Sequence, residues 1–160
     1  MTRIDSKTGE VKVVDEGIGG PNGITLSPDG ATLAVSDFKG EFVWAFCVGV
    51  DGALSAKAPY MSLRLPIDPK GEFKFNEPPP HQIASRGDGM AVDRVGRYYV
   101  TSALGVQVFD PSGRLCGVLA KPQPEAPLTS CILAGEGNNT LFVTNGDKVF
   151  RRLLTIEKPR

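Results

Sequence analysis

Residues 20–37 read GPNGITLSPDGATLAVSD, and residues 86–102 read RGDGMAVDRVGRYYVTS. Each is a short apolar run, a turn and a second apolar run. Ser27, Pro28, Asp29 and Gly30 suit a tight turn, because Pro presets φ and Gly tolerates the left-handed conformation. A third copy, SCILAGEGNNTLFVTN, occupies residues 130–145. Asn22 and Val35, like Ser130 and Val143, are thirteen positions apart, and the middle copy is one residue shorter. A hairpin that recurs in this way is an internal repeat.

Each copy is continued by similar sequence. GEFVWAFCVGVDGALSAKAPYMSL follows the first and LGVQVFDPSGRLCGVLAK the second, each reading as two strands around a turn. Trp44 and Phe46 alternate with Val43 and Ala45, as strand packing between blades requires. Four antiparallel strands per unit, repeated along the chain, predict an all-β protein of the β-propeller type, with about three four-stranded blades. The opening TRIDSKTGEVKVV reads as the last two strands of a preceding blade. The expected divisions are a partial blade over 1–19, a blade over 20–64, an inter-blade loop over 65–86, a blade over 87–122 and a last blade over 123–160. The loop is Pro-rich and lacks periodicity, so it is either a substrate-facing element or a surface excursion.

Three blades do not close a ring, since propellers take roughly four to eight. The chain is therefore expected to be the C-terminal portion of a longer protein, or to be completed by a second polypeptide.

Composition narrows the function. The 160 residues carry 18 Lys plus Arg and 18 Asp plus Glu, with no basic run, which argues against nucleic acid as a partner. No apolar run reaches the ~20 residues of a membrane span, and the first residues lack the apolar core of a signal peptide. The compartment stays unassigned, with the cytoplasm as default and a periplasmic or secreted location open should the true N-terminus be missing. Cys47, Cys116 and Cys131 match no metal-ligand spacing, and their odd number argues against a full disulfide framework.

In a propeller the first strand of each blade lines the central channel. Asn22, Asp88 and Ser130 hold equivalent positions at the starts of these strands, so three oxygen-bearing side chains would meet at one mouth. A carboxylate with amide oxygens suits a hard divalent cation such as calcium, or zinc with an open position. The competing reading is that Asn22-Gly23 and Asp88-Gly89 are turn dipeptides. Against it, the hairpin tips already have their own turns at Asp29-Gly30 and Gly96. His81, the single histidine, has no nearby nucleophile. Ser36 and Ser102 lack elbow glycines and a histidine partner, which argues against a serine hydrolase. Asp37 and Asp93 read as turn acids, and Arg151 and Arg152 as a solvated edge.

GPNGITLSPDGATLAVSD, GDGMAVDRVGRYYVTSALGVQVFDPSGR and LTSCILAGEGNNTLFVTNGDKVFRR together resemble the C-terminal half of the senescence marker protein, gluconolactonase and luciferin-regenerating enzyme family. The resemblance covers nearly the whole chain, and it rests on Pro-Asn-Gly, Asp-Gly-Met and Thr-x-Cys occurring together. It implies a six-bladed propeller holding one divalent metal at the channel mouth, calcium or zinc first, magnesium or manganese also compatible. Asn22 matches one metal ligand. Asp88 matches another, which is also the catalytic base for hydrolysis of a sugar lactone. Ser130 becomes a substrate-binding candidate, at a position where many relatives have Asn. The family's Glu ligand and a further substrate-side Asn have no counterpart here. A non-catalytic propeller that binds a ligand or a protein is therefore the alternative.

Overall fold

The computed structural model describes residues 1–82 and 84–156. Among these residues thirteen strands form four antiparallel sheets. β1 (Thr2–Ile4) pairs with β2 (Val11–Val13). β3 (Pro21–Leu26), β4 (Thr32–Asp37), β5 (Phe42–Val48) and β6 (Leu54–Ser62) form a sheet in that order. β7 (Met90–Val92), β8 (Tyr98–Ser102), β9 (Gly105–Phe109) and β10 (Leu115–Ala120) repeat the arrangement. β11 (Leu128–Ala134), β12 (Thr140–Asn145) and β13 (Lys148–Leu153) form the last sheet.

Strand alternation sends neighbouring side chains to opposite faces, and in the central strands β4, β8 and β9 both faces are buried. Ala34, Val43 and Met61 of the first full sheet pack on Met90, Tyr98, Val100 and Phe109 of the next. Tyr99 and Ala91, on the reverse face of that next sheet, pack on Cys131, Leu141 and Val143 of the last. Val35 and Phe46 face the other way, towards Ile18 and Met1. The sheets are thus stacked face to face, as in a propeller, with β3 against β7 and β11 against β7 and β8. Among the described residues they form an open series rather than a closed ring.

Among the described residues the last sheet has three strands. After Leu153 the chain leaves the sheet and packs against the β7–β8 hairpin. Ile156 is buried there, and its carbonyl accepts a hydrogen bond from the Arg94 guanidinium at 2.8 Å. The Leu154 N–H donates to the Asn139 carbonyl at 2.7 Å. Arg151 and Arg152 are exposed on β13.

The Pro-rich segment is ordered at its root. Ile67 bridges His81 in antiparallel fashion, the Asp68 N–H donates to the Pro80 carbonyl and the Gln82 N–H to the Pro66 carbonyl. Its apolar tip residues Phe73 and Phe75 stand in solvent.

Candidate functional site

The site begins with the three inner strands, which come close enough to exclude side chains between them. A Cβ placed on Gly23 would lie 2.2 Å from the Asp88 carbonyl oxygen. A Cβ on Gly89 would lie 2.6 Å from the Ser130 Cα and 2.9 Å from the Thr129 carbonyl oxygen. Neither glycine has positive φ, so neither makes a turn. Positive φ belongs to the hairpin glycines, Gly30 at 73° and Gly96 at 86°. Asn22-Gly23 and Asp88-Gly89 are strand starts whose glycines admit the neighbouring sheet.

Hydroxyl groups on the second strands hold these starts together. The Gly23 N–H donates to the Ser36 Oγ at 2.8 Å, and that hydroxyl donates to the Asp88 carbonyl at 2.7 Å. One buried serine therefore ties the residue beside Asn22 to Asp88 across the sheet boundary. At the equivalent place on β8, Thr101 Oγ1 donates to the Gly89 carbonyl at 2.8 Å, and the Gly89 N–H donates to the Thr129 carbonyl at 3.0 Å. On β12, the Thr144 and Thr129 hydroxyls are 2.8 Å apart.

This network corrects the third position. Pro21 pairs with Asp37 and Leu128 with Asn145, each followed by a register shift. Leu128 is thus the counterpart of Pro21, and Thr129 the counterpart of Asn22 and Asp88. Ser130 falls on the register of the glycines. Counting thirteen residues back from Val143 misses one extra residue in the hairpin loop, since Leu133 pairs with Leu141 where Leu26 pairs with Leu33, while both first strands carry the same bulge. Leu128 before Thr129, matching Pro21 before Asn22, was the signal available.

Asn22 and Asp88 lie together. Burial pushes the Asp88 carboxyl above its ordinary value, while the Gly89 backbone N–H and the Asn22 side chain act in the opposite direction. Asp88 is half-buried, whereas Asn22 and Thr129 are exposed. Asp88 and Thr129 line a cleft of about 590 Å³ together with Arg86, Lys121 and the loop residues Pro66 and Gln82. The root of the Pro-rich segment thus faces the site, and its tip is a surface excursion.

Other acids are committed to structure. Asp37 Oδ1 accepts from the backbone N–H groups of Gly20, Lys39 and Gly40. Asp93 accepts from Val95, Arg97 and the Tyr99 hydroxyl. Ser102 bonds the Gly105 carbonyl and Gln107, with no histidine partner.

The donor set bears on a metal. A carboxylate and an amide oxygen side by side suit a hard cation. Among the described residues no cluster of three His, Cys, Asp or Glu could hold a metal ion. The pair fits such an ion as part of a coordination shell.

Face-stacked antiparallel sheets, with oxygen-bearing side chains at the starts of their inner strands, define a β-propeller-like protein. The chain belongs to the SMP-30/Gluconolactonase/LRE-like region family, which matches residues 1–147. It is 27% identical over 148 residues to a gluconolactonase of Zymomonas mobilis, covering 91% of this chain and 38% of that protein. A gluconolactonase structure from Xanthomonas campestris aligns with a TM-score of 0.73 and 27% identity, over 96% of this chain and 44% of the other. Regucalcin from Agrobacterium tumefaciens, a calcium-binding protein, aligns with a TM-score of 0.66 over 88% of this chain and 42% of the other. Its 19% identity speaks to the fold alone. The chain spans less than half the length of each of these relatives.

Proposed function

We propose that this chain contributes part of the active site of a metal-dependent sugar-lactone hydrolase. The single observation that carries the reading is the half-buried Asp88 carboxyl beside the Asn22 amide, at matching strand starts of adjacent sheets. The family relationship supplies the substrate class, since the relatives named gluconolactonase match most of the chain.

Asn22 and Asp88 would hold one divalent ion, calcium or zinc first, with magnesium and manganese as further candidates. When bound, that ion polarises the lactone carbonyl. Asp88 takes a proton from the attacking water as its oxygen bonds to the carbonyl carbon. The ring C–O bond then breaks, and the proton passes to the leaving alkoxide. The product is an open-chain hydroxy acid. Because solvation favours its ionised form, a partly desolvated carboxylate is a stronger base than an exposed one. Thr129 or Ser130 would contact the sugar hydroxyls from the third sheet. The remaining ligands, and the remaining blades of a six-bladed ring, would come from further sequence of the same protein or from a second chain.

The test is hydrolysis of glucono-1,5-lactone by the protein as its gene encodes it, with and without a chelator, and with Asp88→Ala and Asn22→Ala. Loss of activity with the chelator, recovery on adding metal, and loss in Asp88→Ala are expected. Activity that survives both treatments overturns the mechanism. A second reading is a propeller that binds a ligand without catalysis. It draws support from the two-oxygen donor set, and it predicts metal or ligand binding without turnover.

A further inference from the structure

Arg86 is the outlier of the site. It has φ of 54°, a conformation disfavoured for a long side chain, and it stands two residues before Asp88. The flanking residues fix it there. Ser85 is fully buried, its N–H and hydroxyl both donate to the Gly40 carbonyl, and its own carbonyl accepts from Ala103. Gly87 donates to the Ser85 Oγ at 3.1 Å, and a Cβ there would meet Leu63 at 2.7 Å. Between two clamped residues, Arg86 is exposed and lines the cleft that contains Asp88. Strained backbone persists where the surroundings over-determine it, and it concentrates where a side chain has to be aimed.

Lys121, directly after β10 of the sheet that Asp88 leads into, lines the same cleft, with Nζ donating to the Ala126 carbonyl at 3.2 Å. Glu125 lines it as well, yet among the described residues neither Arg86 nor Lys121 is ion-paired. Asp88 and Glu125 are the acids lining the cleft. Among the described residues neither is bridged to Arg86 or Lys121, so both cations are free to meet an incoming anion. A guanidinium and an ammonium suit a carboxylate or a phosphate monoester, the guanidinium with two parallel hydrogen bonds.

We propose that Arg86 and Lys121 form an anion subsite next to Asp88, so that the preferred lactone carries a second, remote acidic group. This rests on the lactonase reading for the word lactone, while the subsite itself is tested by binding. The reacting carbonyl would sit at Asp88 and the remote anion at Arg86. The cations would then also draw the substrate into the cleft and orient it.

The experiment is calorimetric titration of the full protein with 6-phosphogluconate, glucarate and gluconate, using wild type, Arg86→Ala, Arg86→Gly and Lys121→Ala. The two acids with a second anionic group are expected to bind more tightly than gluconate. Arg86→Ala is expected to weaken them roughly tenfold or more. Which of the two binds better separates phosphate from carboxylate as the natural group. Arg86→Gly is the decisive variant, since glycine relieves the left-handed backbone. It is expected to keep the wild-type melting temperature while losing anion affinity, which a structural role for Arg86 would not produce. Equal affinity for all three acids, or anion affinity retained in Arg86→Gly, overturns the subsite. Arg86-dependent binding without any lactone hydrolysis would leave the subsite standing and remove the lactonase reading. Where hydrolysis is present, Arg86→Ala should lower kcat/KM for 6-phosphogluconolactone by a larger factor than for the neutral lactone.

Discussion

Gly23 and Asp88 belong to different sheets, and the Asp88 carbonyl occupies the space that a side chain on Gly23 would need, 2.2 Å from its Cβ position. The contact fixes how far the first full sheet stands from the next, and so where the Asp88 carboxyl lies relative to Asn22. Gly89 plays the same part against Thr129 and Ser130. The carbonyls and Cα atoms in the way are backbone and cannot rotate aside. Gly23→Ala and Gly89→Ala are therefore expected to destabilise the protein by about 1–3 kcal/mol through overpacking. Gly117→Ala, with nothing within 4 Å of the added Cβ, serves as control. Urea denaturation of the three variants checks this, and a Gly23→Ala midpoint equal to that of Gly117→Ala would contradict it.

Ser36 is the other half of that boundary. Its hydroxyl accepts from Gly23 and donates to Asp88, and the residue is fully buried. Ser36→Ala leaves a buried N–H and a buried carbonyl each short of a partner, at a cost of about 1–3 kcal/mol. Activity should fall along with stability, because Asp88 loses its tie to the first full sheet. Ser36→Thr, which keeps the hydroxyl, should retain more of both. An alanine variant with wild-type stability would show that the bridge carries no net energy.

Much of this was legible in the sequence, and what was not has physical reasons. Turns announced themselves, since Gly30, Gly52, Gly96 and Gly113 all adopt the positive φ that their Asp-Gly, Ser-Gly and Val-Gly settings suggested. The strands followed from alternation, as Ala34 and Val35 face different cores. Asn22 and Asp88 were brought together by the repeat alone, because equivalent residues of stacked sheets are neighbours however distant in sequence. Thr129 was missed because the hairpin loop around Glu136–Asn138 is one residue longer than its counterpart, and loop length leaves no mark on the strand pattern. The packing of Ile156 beside Arg94 is a tertiary contact that no local pattern records. Nothing in the local sequence singles out Arg86, and only its backbone angle distinguishes it.

The cysteines give a test of packing independent of any ligand. Cys131 lies between two sheets, with its thiol 3.4 Å from the Tyr99 carbonyl, and burial pushes it up to about 12. Cys47 and Cys116 are exposed. At pH 8 a thiol reagent is expected to modify two cysteines within minutes and the third only as the protein unfolds, because the thiolate is the reactive form. Tryptic mass spectrometry identifies the slow site. Rapid modification of Cys131 in the native protein would show that the last sheet does not pack on its neighbour as described.

Asp88 gives the sharpest pH test. Its folded-state carboxyl is raised, first by desolvation, so the folded protein favours the protonated form more than the unfolded chain does. The resulting stability is fully present below the unfolded carboxyl value and is lost as pH rises through the higher folded one. Asp5, Asp29 and Asp110 are lowered by hydrogen bonds and run the other way, so the effect has to be read as a difference between variants. In the absence of metal, Asp88→Asn should melt slightly above wild type at pH 7, by at most about 2 °C given how much solvent contact the group keeps. The gap should close as pH falls below ~4, where the wild-type carboxyl is protonated in both states. Calcium should reverse the order at pH 7, raising the wild type and leaving the variant unmoved, because the bound ion stabilises only the protein that holds it. Scanning calorimetry at pH 3.5 and 7, with and without calcium, measures all four cases. An Asp88→Asn protein that melts below wild type without metal at pH 7 would mean that the carboxylate is stabilised where it stands, and that its burial does not prepare it to act as a base.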